Sequence, residues 1–304
     1  MIQLGVKTDP IQTRYSYDWL FDLLVSEEIE FVQLGAFFEM FHMDDDGYFL
    51  ALREKAARRG LRIKSMFSSY REFGGFFYDD PHLERASRRM YEKFIHIAGV
   101  LGVDYAGTNP GAVYRDQLHK KDQGIETYLK HMKELQHLAK EKGLRAFTIE
   151  PMSSLAEPPS TPDEIDYMIG SLNDYHARHP ETTVPVWLCG DISHGLADQA
   201  GRIVYSNTEL FEHAIPMMSE FHFKNTDKIY NSTFGFSEEE LQRGIIDLVE
   251  VKEICEKRAD AWPVEEVVGY LEIGGPKIGR DYSDPLLGRA LRDSLHALKE
   301  VFGQ

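Results

Sequence analysis

The sequence predicts an α/β fold, specifically a (β/α)8 barrel, and three observations lead to this prediction. Strand-like and helix-like segments alternate along all 304 residues. Strands separated by helices run parallel and are joined by right-handed crossovers. Eight such units close into a barrel, which typically takes roughly 250 residues. The alternative is an open doubly wound sheet, which often has a glycine-rich turn after its first strand. Here that turn reads KTDPIQTRYS, so the barrel is favoured.

The predicted strands are short apolar runs bounded by loop residues. In chain order they span residues 2–7, 31–37, 61–69, 103–111, 145–152, 184–194, 218–227 and 264–275.

The predicted helices follow the strands one by one. They span residues 15–24, 51–60, 83–102, 126–143, 161–179, 207–215, 236–258 and 283–303. Two have a recognisable start. Thr161 is a predicted N-cap, with Pro162 at the first helical position and Glu164 completing a capping box. Ser237 is the predicted N-cap of the long helix 236–258, with Glu240 three positions on.

Composition narrows the class of protein. A formal net charge of −16 argues against a nucleic-acid partner, although it leaves room for a small phosphorylated substrate. No apolar run approaches the ~18 residues of a membrane span, and the N-terminus MIQLGVKTDP has no signal-like apolar core. Two cysteines are too few for a disulfide framework. We therefore expect one TIM-barrel domain over residues 1–304 in a cytoplasmic protein that has no membrane partner.

Four potential metal ligands stand at the ends of the last four predicted strands. They are Glu150, Asp191, His222 and Glu272, in strands five to eight. The C-terminal ends of barrel strands meet at one face, where barrel active sites lie. Three carboxylates and one imidazole suit Mn²⁺, Mg²⁺ or Co²⁺ better than a thiolate-preferring ion. Because side chains alternate along a strand, Lys224 is expected on the same face as His222.

Such a site suits chemistry next to a carbonyl group. A divalent ion can hold the carbonyl and a neighbouring hydroxyl of a sugar and stabilise the enediolate that forms when a carbon-bound proton leaves. Glu150 and Glu272 can then act as base and acid. The predicted function is that of an isomerase, a sugar epimerase or aldose–ketose isomerase of carbohydrate metabolism. A dehydratase on the same scaffold, which expels a neighbouring hydroxyl, stays open as the alternative.

The pattern of ligands at strand ends resembles the xylose-isomerase-like TIM-barrel superfamily, and most nearly its ketose 3-epimerase branch, the tagatose and psicose 3-epimerases. The resemblance implies that Glu150, Asp191, His222 and Glu272 bind the metal ion. It also implies that Glu150 and Glu272 transfer protons and that His194, in GDISHG, contacts a substrate oxygen.

Two positions depart from that branch. Glu157 is only a loose match for its substrate-binding glutamate, and Lys224 and Lys228 stand where the branch has an arginine. Free hexuloses are therefore disfavoured as substrates. The loops after strands seven and eight of TIM barrels frequently bind phosphate, and Lys277 lies in the second of them. A ketose phosphate such as a tetrulose phosphate is one hypothesis.

Further residues are candidates for the barrel mouth. We expect Asn109 to contact the substrate together with His194, Lys224, Lys228 and Glu157, and Lys7 ends the first strand. The sequence also leaves a homo-oligomer open. A DNA-repair endonuclease of the related barrel type is disfavoured because a multi-zinc site rich in histidine and a basic face are not evident.

Overall fold

The computed structural model describes residues 2–35, 38–69 and 71–303. Eight strands form a closed barrel, which confirms the predicted fold. Each strand neighbours the next one in chain order, and the first neighbours the last. The predicted second strand extended to residues 36 and 37, which lie outside the described residues. The barrel strands are β1 (Ile2–Lys7), β2 (Phe31–Gly35), β3 (Arg62–Ser68), β4 (Tyr105–Thr108), β5 (Ala146–Ile149), β6 (Val186–Asp191), β7 (Met218–Phe223) and β8 (Val267–Leu271).

Helices alternate with these strands, and their bounds agree with the predictions within a few residues in most cases. None of the helices in the described part of the chain is long and apolar enough to cross a membrane. The helices are α1 (Tyr17–Ser26), α2 (Phe38–His42), α3 (Asp46–Ala57), α4 (Pro81–Leu101), α5 (Lys121–Glu141), α6 (Pro162–Arg178), α7 (Asn207–Ala214), α8 (Glu238–Arg243), α9 (Leu248–Lys257) and α10 (Leu287–Phe302).

The chain divides into two compact units. One comprises Met1–Gly35, Ala51–Ile63 and Gly190–Gln304, and the other comprises Ala36–Leu50 and Lys64–Cys189. In the first unit, β1 pairs in parallel with β2 and with β8, and β8 pairs in parallel with β7. In the second unit, β4 pairs in parallel with β3 and with β5, and β5 pairs with β6. A single domain over the whole chain stays a prediction.

The predicted helix over residues 236–258 is wrong as one element, because the chain forms α8 and α9 with a break between them. The break is set by the loop that follows β7. The side-chain oxygen of Asn225 accepts a hydrogen bond from the backbone of Ile246 (3.2 Å), and Thr226 O accepts from Ile245 N (3.0 Å). A Cβ on Gly244 would lie 2.2 Å from the Asn225 carboxamide oxygen. These contacts take backbone donors that a continuous helix would use internally.

The two predicted helix starts differ in outcome. Ser237 and Glu240 form a capping box at the start of α8, as predicted. At α6, Thr161 is the N-cap and accepts a hydrogen bond from Glu164 N. The carboxylate of Glu164 accepts instead from the backbone of Ser160 (2.8 Å), one residue earlier than a capping box requires. The Thr161 cap is therefore confirmed, and the capping box at α6 is corrected.

Two loops at the C-terminal ends of β3 and β4 approach each other through glycine backbones. A Cβ on Gly111 would lie 2.3 Å from Gly74 Cα, and Gly111 has φ of +136°, which L-residues rarely adopt. We expect Gly111→Ala to lower the free energy of unfolding by about 2–4 kcal/mol, because overpacking and backbone strain act together. Urea denaturation followed by circular dichroism measures the change.

The matched control is the same substitution in open space. Gly170 lies inside α6, and a Cβ there would meet no atom within 4 Å. Gly170→Ala should raise the free energy of unfolding by about 0.5–1 kcal/mol, because alanine has the higher helix propensity. Equal effects of the two substitutions would contradict the role assigned to the close approach of Gly111.

Candidate metal centre

The four predicted ligands stand at the C-terminal ends of their strands. Glu150 follows β5 directly, Asp191 is the last residue of β6, His222 is the last but one of β7, and Glu272 follows β8 directly. Each residue offers one ligand atom, and these atoms all lie within 4.8 Å of one another. Their exposed fractions are between 0 and 9 %. The structure therefore brings together four side chains that are far apart in sequence.

The alternation of β7 explains why His222 points toward this cluster. Its neighbours Phe221 and Phe223 pack on the opposite side, where Phe221 meets Phe211 of α7 and Phe223 meets Phe302 of α10 edge-on. His222, between them, is fully buried on the other face. The packing of Phe221 and Phe223 on one face of β7 thus fixes the direction in which the His222 side chain points on the opposite face.

Strand register places Glu272 beside His222. Tyr270 of β8 pairs with His222, and the backbone N of Glu272 donates to Phe223 O at 3.0 Å, which continues the ladder past the end of β8. Glu272 Oε2 lies 3.5 Å from His222 Nδ1. The backbone pairing of the two strands therefore fixes the relative position of His222 and Glu272 without a bound metal ion.

Two buried lysines contact the carboxylates of the cluster. Lys224 Nζ lies 2.5 Å from Asp191 Oδ2 and 3.0 Å from Glu272 Oε2. Lys7 Nζ, at the end of β1, bonds Glu272 Oε1 and lies 3.0 Å from Asp9 Oδ2. Both oxygens of Glu272 thus face an ammonium group. Lys224 lies on the face expected from strand alternation, whereas the sequence assigned Lys7 no role.

The neighbouring lysines and histidines lower the pKa values of Glu272 and Asp191. Burial by itself raises the pKa of Glu272, but His222, Lys224 and Lys7 outweigh it and hold that pKa well below its usual value. Burial likewise opposes ionisation of Asp191, and His194 and Lys224 lower its pKa below the ordinary range. Both carboxylates are therefore anionic around neutral pH, the form that a metal ion requires.

The donor set fits a hard divalent cation. Asp191 Oδ1 accepts hydrogen bonds from Ser193 N (2.8 Å) and Ser193 Oγ (2.7 Å), which orients Oδ2 toward Lys224 and the cluster. Three carboxylates and one imidazole nitrogen, from residues that are at most 9 % exposed, are donors that Mn²⁺, Mg²⁺ and Co²⁺ accept. Anionic groups brought this close also repel each other, and a divalent cation would offset that repulsion.

His194 lies at the edge of the cluster. Its Nε2 is 3.3 Å from Asp191 Oδ2 and 3.2 Å from Lys224 Nζ. The side chain is 14 % exposed, so it is reachable from solvent, whereas the side chain of Asp191 beside it is fully buried.

In the described part of the chain, Glu157 and Asn109 contact residues that do not belong to the metal-ligand group. Glu157 Oε2 accepts from Arg71 Nε at 2.9 Å, and Arg115 Nη2 lies 3.8 Å from Glu157 Oε1. Asn109 Nδ2 lies 2.6 Å from Met152 Sδ. The Asn109 side-chain oxygen is buried and, among the described residues, has no hydrogen-bond partner. Neither residue is in the metal-ligand group.

Acidic residues in the loops after β7 and β8 accept hydrogen bonds from groups that a phosphate could also use. Lys228 is exposed. Asp227 accepts hydrogen bonds from the Ser232 hydroxyl and from Asn231 N, so an acid of the same loop takes the donors that a phosphate would use. After β8, Asp284 accepts from the backbone of Gly279 in the same way. A phosphate site at these loops stays a prediction, without support from their contacts.

Fold and site together define a class: a (β/α)8 barrel protein with buried carboxylates and an imidazole suited to a divalent cation. The xylose isomerase-like TIM barrel family matches residues 21–270, and the chain belongs to this family. No protein of curated function matches it.

Solved structures share the whole architecture at low sequence identity. A Rhodospirillum rubrum protein with the provisional name xylose isomerase has a TM-score of 0.79 at 19 % identity, with 99 % of each chain covered. D-Psicose 3-epimerase from Clostridium cellulolyticum has a TM-score of 0.73 at 13 % identity, with 99 % of each chain covered. A Bacillus anthracis protein named as a 3-DHS dehydratase has a TM-score of 0.64 at 13 % identity, covering 100 % of this chain and 99 % of that one. At these identities the likeness shows the fold alone.

Proposed function

We propose that this protein is a metal-dependent epimerase or isomerase that acts on a ketose or a ketose phosphate. The observation that carries the proposal is the grouping of Glu150, Asp191, His222 and Glu272, each with a donor atom within 4.8 Å of the others. Two of these donors are glutamates from β5 and β8, whose carboxylates can also exchange protons. The metal site and the proton-transfer groups therefore coincide.

A divalent ion held by these four residues supplies a Lewis acid for a substrate carbonyl oxygen. Glu272, anionic because His222, Lys224 and Lys7 lower its pKa, is suited to accept a proton from the carbon beside that carbonyl. Glu150 is suited to deliver a proton from the other side. Return to the same carbon on the opposite face inverts it, and return to the neighbouring carbon interconverts ketose and aldose.

The residues around the ligands have supporting roles in this proposal. Lys224 and His194, both adjacent to Asp191 Oδ2, can donate hydrogen bonds to substrate oxygens. Lys7 bonds Oε1 of Glu272, whereas Oε2 faces both Lys224 and His222. Burial of the group excludes water, and charge developing on substrate oxygen is therefore stabilised more strongly than in solution.

We propose that the substrate is a short ketose or its phosphate, for example a tetrulose phosphate. Glu157 pairs with Arg71, and Lys224 and Lys228 stand in the neighbourhood where the 3-epimerase branch has an arginine. Both differences disfavour a free hexulose bound as in that branch. Screening tetruloses, pentuloses, hexuloses and their phosphates with Mn²⁺, Mg²⁺ and Co²⁺ decides among them.

Solvent exchange tests the chemistry directly. When the reaction runs in D₂O, we expect deuterium to enter the substrate carbon that loses its proton, because Glu272 removes one proton and Glu150 delivers another that has come from solvent. ¹H NMR measures the loss of that carbon-bound proton signal during turnover. A wild-type enzyme that turns over with no deuterium in substrate or product argues against proton transfer.

A dehydratase is the second candidate, because a protein named as a 3-DHS dehydratase shares this fold over the full chain. The same proton abstraction can be followed by loss of a neighbouring hydroxyl. Product analysis by NMR separates the two reactions: an epimerase or isomerase gives a product of the same mass as its substrate, and a dehydratase gives one that has lost water.

A further inference from the structure

Gln33 is a buried residue of β2 that contacts a predicted metal ligand. It is fully buried, and its Oε1 lies 2.8 Å from His222 Nε2. The other ring nitrogen, Nδ1, is the one that faces Glu272 Oε2 at 3.5 Å. Nε2 of the imidazole is therefore hydrogen-bonded to Gln33, and Nδ1 is directed toward the other three residues of the cluster.

This contact selects one tautomer of a neutral imidazole. A neutral ring carries its proton on one nitrogen and a lone pair on the other. The side-chain oxygen of Gln33 can only accept, so the proton belongs on Nε2 and the lone pair on Nδ1. Metal-binding histidines commonly use their second nitrogen as a donor in this way, and such partners fix both ring orientation and tautomer.

Strand pairing explains why β2 supplies this partner. Lys7 and Gln33 are register partners in the β1–β2 pair. Lys7 bonds Glu272 and Gln33 bonds His222. The first two strands contribute none of the four ligands, and their buried polar residues instead support the ligands that come from β7 and β8.

We propose that Gln33 is a positioning residue of the metal site, which holds His222 in the tautomer whose Nδ1 lone pair is directed at the cation. The proposal rests on the metal-binding part of the proposed function and is independent of which sugar is the substrate. It assigns to Gln33 no contact with substrate and no proton transfer.

The test uses Gln33→Met, which keeps the length and volume of the side chain and removes the acceptor. Gln33→Asn, which withdraws the oxygen by one methylene, is the second variant in case the first does not fold. Gln33→Glu retains an acceptor at the same reach and serves as the rescue. Circular dichroism confirms that each variant is folded.

Two measurements are made on each protein. Long-range ¹H–¹⁵N NMR of the metal-free protein, at a pH where the His222 ring is neutral, reports its tautomer, and isothermal titration calorimetry with MnCl₂ reports metal affinity. We expect the wild type to show the Nε2–H tautomer and Gln33→Met to show a mixture, with Mn²⁺ affinity lowered about 10- to 100-fold. Gln33→Glu should keep the Nε2–H tautomer.

The outcomes separate this proposal from the proposed function. If the wild type binds Mn²⁺ and Gln33→Met has the same tautomer and an affinity within twofold, the role of Gln33 is overturned while the metal site stands. If the wild type binds none of Mn²⁺, Mg²⁺ and Co²⁺, the metal site fails and this proposal fails with it. A purely structural role would lower thermal stability and leave the tautomer unchanged, which also overturns the proposal.

Discussion

Glu150→Gln and Glu272→Gln should each lower kcat by about 10²- to 10⁴-fold, the usual contribution of a general acid or base. Glutamine keeps the shape of the side chain and one oxygen donor, but it cannot accept and return a proton. Both residues are buried in the four-ligand group. Steady-state kinetics with the substrate found by screening measures the loss, and circular dichroism checks that the fold survives.

The matched control for these variants is a glutamate on the same scaffold far from the strand ends. Glu253 is exposed on α9, so Glu253→Gln should leave kcat unchanged. Retention of more than about a tenth of wild-type kcat by either buried variant would contradict its assignment as a proton-transfer residue. If a variant loses metal affinity but recovers wild-type kcat at a saturating ion concentration, the residue binds the metal ion and does not transfer a proton.

Removal of divalent ions should abolish turnover, and Mn²⁺, Mg²⁺ or Co²⁺ should restore it. Three carboxylates and one imidazole converge with no thiolate among them, so hard or borderline ions are favoured over thiolate-preferring ones. Dialysis against EDTA followed by single-ion addition measures the recovery. An ion present at 100 times its Kd should also raise the free energy of unfolding by about 2.7 kcal/mol, because it binds the folded state only.

Asp191→Asn supplies the internal control for the metal experiment. The substitution removes one negative charge but retains Oδ1 as an acceptor for Ser193, so recovery of turnover should require a higher ion concentration. Full activity in protein shown by elemental analysis to be metal-free would contradict the metal-dependent mechanism.

Some features of this protein could be read from local sequence because their causes are local. Alternating apolar runs and amphipathic segments predict the barrel, since the period of each element is a property of its own residues. The cap at Thr161 depends on residues within one turn. Glu150, Asp191, His222 and Glu272 could be predicted as neighbours because parallel strands bring their C-terminal ends to one face.

Other features depended on residues that are distant in sequence. The sequence alone predicts one helix over residues 236–258, and the break between α8 and α9 arises from Asn225 and Thr226 on the preceding loop. The spacing of apolar residues within 236–258 gives no sign of that contact.

By itself, the sequence predicted the barrel and the four candidate ligands, because strand period and strand ends follow from local pattern. The tertiary structure decided the surroundings of those ligands. Lys7 meets Glu272 across 265 positions, and Gln33 meets His222 across 189. Such contacts exist only when the barrel closes, with β8 beside β1, so the charge of Glu272 and the tautomer of His222 are properties of the folded chain.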